Sequence, residues 1–249
     1  MSFFRFLASL VRSAVVLFCR PAAPSAPVAT PAVPGEPSKP SVALTLERII
    51  LSETESIGPM PRTGGVIHAV DAAEAKIVAA ALIDAAHAHG LAVSLLAGYA
   101  RTESDFDPHA DDPNWQDRQP NETATDAFRH DDVGEAQIDG AGLLLMPEFR
   151  GKTILQIRAA ADDPAWAFDH MAQIIISDRE QLDVAFLADP SLVAKIPNGD
   201  KRIAYANSYN AGVHGTINAL RSATPKLAYG SKVVARADGW ASLLGDARP

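Results

Sequence analysis

The sequence is short of the features that define several large classes of protein. It has one cysteine, Cys19, so no disulfide can form within the chain to stabilise its fold. Its 22 Lys and Arg residues are outnumbered by 30 Asp and Glu, which gives a formal net charge of −8. Because nucleic-acid binding depends on clustered basic side chains, this balance argues against DNA or RNA as a partner.

A membrane-spanning segment is not evident at the N-terminus either. The uninterrupted apolar run Ser13–Cys19 is too short, since crossing a bilayer takes about 20 residues. On a helix the three cations of residues 1–20 share one face, opposite Phe and Leu side chains. Such a pattern is typical of a membrane-surface helix or an imperfect export signal, so we expect an exported or membrane-associated protein. The alternative is an N-terminal tail of no function.

Proline is concentrated in one stretch. It recurs roughly every third residue from Pro21 to Pro40, with Ala, Ser, Val and Thr between. This spacing favours the extended polyproline II conformation, so residues 21–42 are predicted to be a semi-rigid linker. A proline-rich ligand for another protein is the less common alternative. Residues 43–249 are then predicted to form one domain.

Helical signals dominate that domain. Asp71 and Glu74 have the spacing of a capping box, apolar residues follow at helical intervals, and Gly90 ends the pattern. Further helices are predicted over 91–102, 153–161 and 164–182, with a short one over 42–51 and a short helix or turn over 141–146. No segment has a convincing period of two. The fold class is therefore predicted to be all-α, or mainly α.

Glu103 is the candidate catalytic acid. It ends an apolar helical run that includes Leu95, Leu96 and Tyr99. A carboxyl group at the end of a buried helix is poorly solvated, which favours its protonated form and suits it to general-acid catalysis. The alternative is a Glu that pairs with Arg101 or faces water.

No metal or cofactor is expected. The loop after Ser104 is rich in carboxylates, but their spacing does not fit a twelve-residue calcium loop. His87 and His89 are predicted to lie at a solvated helix end. Trp115 in this loop could stack on a sugar ring or simply pack within the loop.

Four segments resemble the soluble lytic transglycosylase and goose-type lysozyme family. Glu103-Ser104 matches its Glu-Ser signature, Gly134–Gly140 (GEAQIDG) matches Gly-x-x-Gln-hydrophobic, and Tyr205–Gly212 (YANSYNAG) contains Tyr-Asn-Ala-Gly. Tyr229–Ala237 is similar to the closing helix of goose-type lysozymes. The resemblance implies a lysozyme-like helical domain that acts on peptidoglycan glycan strands, in the bacterial periplasm or during phage lysis.

The resemblance also implies a chemistry that depends on a second carboxylate. In the goose-type branch, acids on the central segment hold the attacking water and give inversion; Asp139 matches this role, with Asp132 or Asp131 beside it. In the transglycosylase branch the residue at the position of Asp139 is usually apolar, and the muramyl C6 hydroxyl attacks instead. Asp139 as a helix N-cap is the structural alternative. Glu135 departs from the family pattern, where an apolar residue is usual.

The remaining family positions imply contacts with substrate. Gln137 would face amide or hydroxyl groups, Tyr209 would orient the acid and Asn210 would bind an N-acetyl group. Tyr229 matches the cleft tyrosine of the closing segment, and Ser104 is expected to support Glu103. Gly212 would keep the third segment narrow.

Three functions remain open at this stage. The preferred one is a muramidase that cleaves between N-acetylmuramic acid and N-acetylglucosamine. The second is a lytic transglycosylase that leaves 1,6-anhydro ends, and the third is a non-catalytic wall-binding or assembly protein. A monomer is expected in each case. Because the chain is acidic, it would hold an anionic wall by hydrogen bonds and apolar contacts.

Overall fold

The computed structural model describes residues 41–55, 61–62, 65–66, 70–107, 123, 125, 128–129, 132–134 and 136–246. The predictions for residues 1–20, for the linker up to residue 40 and for Trp115, Asp131 and Glu135 concern residues outside these ranges. The described part is mainly helical, which confirms the predicted fold class.

Eight α-helices carry the described fold. Their bounds are α1 Val42–Glu55, α2 Ala72–His89, α3 Val93–Glu103, α4 Gly140–Leu145, α5 Ile154–Ala161, α6 Pro164–Ala188, α7 Lys201–Arg221 and α8 Ala228–Leu244. Three 3₁₀ segments connect them, Pro147–Phe149, Pro190–Lys195 and Pro197–Gly199. Each 3₁₀ segment begins with proline, which fits the first turn of a helix because its missing N–H would have no partner there.

Two small antiparallel hairpins interrupt the helices. Strand β1 (Pro61–Arg62) pairs with strand β2 (Gly65–Val66). Strands β3 (Asp132–Val133) and β4 (Ile138–Asp139) pair within the central motif. Strands of two residues are too short to show an alternating pattern, so sequence periodicity could not reveal either hairpin.

Helix α2 shows how local sequence sets an element. The Asp71 carboxylate accepts from the backbone N–H groups of Ala73 (2.7 Å) and Glu74 (2.9 Å), and the Glu74 side chain accepts from Asp71 N–H at 3.0 Å. Gly90 ends the helix with φ +64°. The predicted capping box and glycine stop are therefore confirmed.

Helix α8 packs between α3 and α7, and two glycines allow the backbones to approach closely. A Cβ atom at Gly98 of α3 would lie 2.8 Å from the carbonyl oxygen of Val233, and one at Gly230 of α8 would overlap that of Ile203. Helix α6 packs against α2 and α7. The core lies among these helices and includes fully buried Tyr99, Phe168 and Met171. Among the described helices, none is long and apolar enough to cross a membrane.

Candidate active site

Glu103 is the last residue of α3, a helix whose other side chains are mostly buried. The next residue, Ser104, is fully buried, and both its backbone N–H and its hydroxyl donate to the carbonyl oxygen of Ala100 at 3.1 Å. These bonds end the helix and fix the backbone beside Glu103. The hydroxyl of Ser104 is thus engaged with the main chain.

The chain turns sharply after Ser104. Asp105 and Phe106 have φ of +57° and +63°, a left-handed conformation that side chains with a Cβ rarely adopt. Two contacts hold it. The Asp105 carboxylate pairs with Arg101, and the buried ring of Phe106 lies 6.1 Å from the ring of Trp240 on α8. Such strain persists only where the surroundings enforce it, and it is concentrated at functional sites.

The Tyr229 hydroxyl, on the first turn of α8, donates a hydrogen bond to Glu103 Oε1. Burial, followed by the nearby Glu103 carboxylate, raises the pKa of Tyr229 well above its ordinary value. The phenol therefore keeps its proton at physiological pH and remains a donor. The closing segment, Tyr229–Ala237, therefore contacts the Glu103-Ser104 segment directly.

The hydroxyl of Tyr209 binds the main chain. It donates to the carbonyl oxygen of Ala136 at 2.6 Å, within the central motif. A phenol has one hydrogen, so Tyr209 cannot donate to Glu103 at the same time. Tyr229 donates to the candidate acid, and the role of Tyr209 in orienting Glu103 stays a prediction. Tyr209 connects its own segment, Tyr205–Gly212, to the central segment, Gly134–Gly140.

Tyr99 lies between these parts. Its ring meets that of Tyr209 edge to face, with centroids 5.4 Å apart. Burial, then the carboxylates of Asp178 and Glu103, raise the pKa of Tyr99 well above its ordinary value. The four segments identified in the sequence are therefore gathered around the three phenol rings of Tyr99, Tyr209 and Tyr229 and the carboxyl group of Glu103.

The hairpin brings the two candidate second carboxylates together. Asp132 and Asp139 are Cα partners in the β3–β4 register, while Val133 pairs with Ile138 and both of these are buried. Directly opposite residues of an antiparallel pair project to the same face. Asp132, which is exposed, and Asp139, which is half-buried, thus project from the face opposite Val133 and Ile138.

Asp139 also caps a helix. Its Oδ1 atom accepts from the backbone N–H of Ala141 at 3.1 Å, at the start of α4. Asp139 therefore serves as the helix N-cap that was considered as its alternative role. A carboxylate has enough lone pairs to cap a helix and to hold a water as well.

Gln137 lies in the turn of the same hairpin with φ +46°. Its backbone N–H and its side-chain Nε2 both donate to the carbonyl oxygen of Gly134, at 3.0 and 2.9 Å. The amide nitrogen is thus used within the turn. Gly134 has φ +69°, and a Cβ there would overlap the Ala161 carbonyl oxygen, so glycine is required.

The third motif coincides with a break in α7. Gly212 has φ +71° and ψ +161°, which is not helical, and it interrupts the helix directly after Ala211. Asn210 is exposed just before this break. The buried side chain of Asn207 donates to the Thr216 hydroxyl at 3.1 Å and so connects the two parts of α7.

Sequence reasoning missed Asp178 and Arg236. Asp178 is 1% exposed on α6, at helical spacing from core residues Met171, Ile175 and Leu182. A charged residue at a core position of an amphipathic helix was the available signal. Arg236 follows Tyr229 by seven residues, which places both on one face of α8.

His89 pairs with a carboxylate of α6. His89 Nε2 lies 2.7 Å from Asp169 Oδ1 of α6, and the His89 side chain is 21% exposed. His89 is therefore paired, whereas a solvated side chain was predicted. No group of three or more potential metal ligands occurs within the described ranges.

Chemically, the site offers one carboxyl group held by a phenol donor, with a pair of acids on a separate hairpin.

The chain has no significant match among protein-family models, curated proteins or solved structures.

Proposed function

We propose that the protein is a peptidoglycan glycosidase that cleaves between N-acetylmuramic acid and N-acetylglucosamine, with Glu103 as the general acid. The observation that carries this proposal is the hydrogen bond from Tyr229 to Glu103 at the end of a buried helix. It joins two segments, 126 residues apart, that were each identified by their likeness to the same family. The contact of Tyr209 with Ala136 joins the other two.

In the proposed reaction Glu103 gives its proton to the glycosidic oxygen as the bond from that oxygen to the muramyl C1 breaks. Positive charge then develops at C1, and a water attacks from the opposite face. Asp139, with Asp132 across the hairpin, accepts the proton of that water. The product has a reducing end of inverted configuration, and one water is consumed for each bond cleaved.

The position of Asp132 opposite Asp139 supports a catalytic use of these acids. Like charges directly opposite one another are unfavourable in a β-pair, so two acids at this register are an unusual choice for pairing alone. A role in holding water would account for it.

A lytic transglycosylase is the second candidate. The observation in its favour is that Asp139 is already used as the cap of α4. In this reaction the muramyl C6 hydroxyl attacks C1, Glu103 takes back the proton of that hydroxyl, and no water enters. The leaving sugar is released as before, and the new end is 1,6-anhydromuramic acid.

The Glu103→Gln variant tests the proposal. The amide keeps the size and can still accept from Tyr229, but it has no proton to give. General-acid catalysis contributes about 10² to 10⁴ in rate, so we expect a loss of this size in soluble fragments released from purified wall. Glu180→Gln is the matched control, because Glu180 is an exposed glutamate of α6 that has no place in the proposed site. A folded Glu103→Gln protein with near-normal turnover would contradict the assignment, as would an inactive wild type.

A further inference from the structure

Arg236 reaches the same end of α3 as Tyr229. One of its guanidinium nitrogens, Nη1, donates to the carbonyl oxygen of Arg101 at 2.9 Å and to the hydroxyl oxygen of Thr102 at 2.8 Å. The Thr102 hydroxyl in turn donates to the Gly98 carbonyl oxygen at 2.7 Å. The bonded groups belong to the two residues that precede Glu103.

The last carbonyl groups of a helix have no partner within it, and they give the C-terminus a partial negative charge. Glu103 lies in this last turn, where a second negative charge is unfavourable. A cation that binds the Arg101 carbonyl satisfies one unpaired oxygen and also opposes that field. Arg236 is such a cation, and it comes from a different helix.

The position of Arg236 is set by α8 as a whole. Tyr229, Val233 and Arg236 fall at spacings of four and three, so they share the face of α8 that meets α3. The Val233 carbonyl is the atom that a Cβ at Gly98 would approach to 2.8 Å. This close approach leaves Arg236 little freedom to move away from the end of α3.

We propose that Arg236 is a positioning residue for Glu103: its guanidinium fixes the last turn of α3, and its charge favours the ionised form of the Glu103 carboxyl group. This inference rests on the proposed function for its catalytic meaning. Burial raises the pKa of a carboxyl group, while a nearby cation and a donated hydrogen bond lower it. Arg236 and Tyr229 together would bring the acid toward the range where it can both give and regain a proton.

Other titratable groups lie around the same end of α3. The titratable or charged side chains of the described residues around this end of α3 are Glu53 on α1, Tyr99 and Arg101 on α3, Asp105 and Asp107 after it, Asp178 on α6, Tyr209 on α7, and Tyr229 and Arg236 on α8. Arg101 is already paired with Glu53 and Asp105. Arg236 is thus the cation in this set that is bonded to main-chain and hydroxyl oxygens.

The test compares the titration of Glu103 in the wild type with that in Arg236→Gln, by carboxyl-carbon NMR. The Glu103 resonance is the one missing from Glu103→Gln. Loss of the positive charge should raise the pKa of Glu103, and we expect its midpoint to move up by about half a pH unit or more. Arg236→Lys should recover most of the difference because it keeps the charge.

Arg202→Gln is the matched control. Arg202 is also a half-buried guanidinium at an interface of α8, but it binds the carboxylates of Asp200 and Asp238. Its loss should lower stability and leave the Glu103 midpoint unchanged. If Arg236→Gln does not fold, Thr102→Val removes one acceptor of the guanidinium, and a smaller upward shift is expected.

The rate–pH profile on purified wall separates the two proposals. With Arg236→Gln the high-pH limb should move up in parallel with the NMR midpoint, because that limb reports loss of the acid's proton. An unchanged midpoint in the folded variant overturns the role of Arg236 even if the wild type cleaves wall. A shifted midpoint in a protein that cleaves nothing supports the role of Arg236 and removes the proposed function.

Discussion

Helix α3 and the β3–β4 hairpin carry the two halves of the proposed chemistry, and they are held very differently. The end of α3 is fixed by Tyr229 and Arg236 from α8 and by the buried Ser104. The hairpin has two residues in each strand, and one of its candidate acids is exposed. Its contacts with the rest of the described fold include the Tyr209 hydroxyl and the close approach of Gly134 to Ala161.

This difference matters because a general acid and a water-holding base have different needs. An acid must keep one orientation and a tuned pKa, which a rigid helix end with bonded neighbours provides. A base that holds a water can act from a more solvated position. The acid is therefore the better-determined half of the proposal, and experiments on the hairpin decide which reaction occurs.

The largest expected effect comes from disrupting the packing of α8, the helix that holds the end of α3. In Gly230→Ala the new methyl group would overlap the Ile203 carbonyl oxygen, a backbone atom that cannot rotate away. Overpacking of this kind lowers the free energy of unfolding by about 3 kcal/mol. The displacement of α8 would also move Tyr229 away from Glu103. Urea denaturation and wall cleavage should both show the loss.

Gly239→Ala is the control on the same helix. A Cβ at Gly239 meets nothing within 4 Å, and alanine favours helix over glycine by about 0.5 to 1 kcal/mol. Gly239→Ala should be as stable as the wild type or more so. Equal stability of the two variants would mean that α8 does not pack on α7 as described.

Asp139→Asn addresses the hairpin side. Asparagine is as good a helix N-cap as aspartate, so α4 should keep its start while the negative charge is lost. A hydrolase that uses Asp139 as base should slow by about 10²-fold or more with substrate binding retained. Circular dichroism checks the fold, and Asp132→Asn shows how far the opposite acid shares the task. An unchanged rate in both variants would leave Asp139 as a cap and favour the transglycosylase.

The helices that lead to Glu103 could be predicted from the sequence, but the long-range contacts that hold α3 could not. Helix α2 was predicted together with its ends because Asp71, Glu74 and Gly90 are local signals. Helix α3 was predicted to begin at residue 91 and begins at Val93. Its first N–H groups bind Asp246, which lies 153 residues away from Val93, and no local pattern reports such a cap.

The roles of the tyrosines were equally beyond local reasoning. Tyr209 and Tyr229 both stand in motifs, and which of them reaches Glu103 depends on the close packing of α8 at Gly98 and Gly230. The pairing of Asp132 with Asp139 depends on a turn in which Gln137 has a positive φ. Motifs identified the participants, whereas tertiary packing assigned their partners.

A smaller effect is expected from Tyr229→Phe, which sharpens the comparison without disturbing the packing. It removes the hydroxyl that donates to Glu103 and keeps the ring. A hydrogen bond to a charged group contributes about 1.5 to 3 kcal/mol, so kcat should fall by about 10-fold or more with KM little changed. Tyr205→Phe is the control, because its hydroxyl donates to Asp183 instead. Equal rates for the two variants would show that Tyr229 does not orient the acid.

The smallest effect is expected from deletion of residues 1–40, which leaves Ser41 in place at the start of α1. An extended proline-rich linker is expected to share no core with the helical domain, so the remaining residues should keep their specific activity on isolated wall and change only their location in the cell. Activity per mole of folded protein is the measurement. An insoluble or inactive product would place the domain boundary elsewhere.

The central claim is that Glu103 protonates a glycosidic oxygen in peptidoglycan, and mass spectrometry of digested wall tests it most directly. Purified wall is treated with wild type and with folded Glu103→Gln, and the muropeptides released are weighed. The account predicts muropeptides with reducing muramic ends, one water heavier than anhydro ends, from the wild type and almost none from the variant. Wholly anhydro ends would keep Glu103 as acid and establish the transglycosylase. Release of the same muropeptides by both proteins, or by neither, would contradict the account.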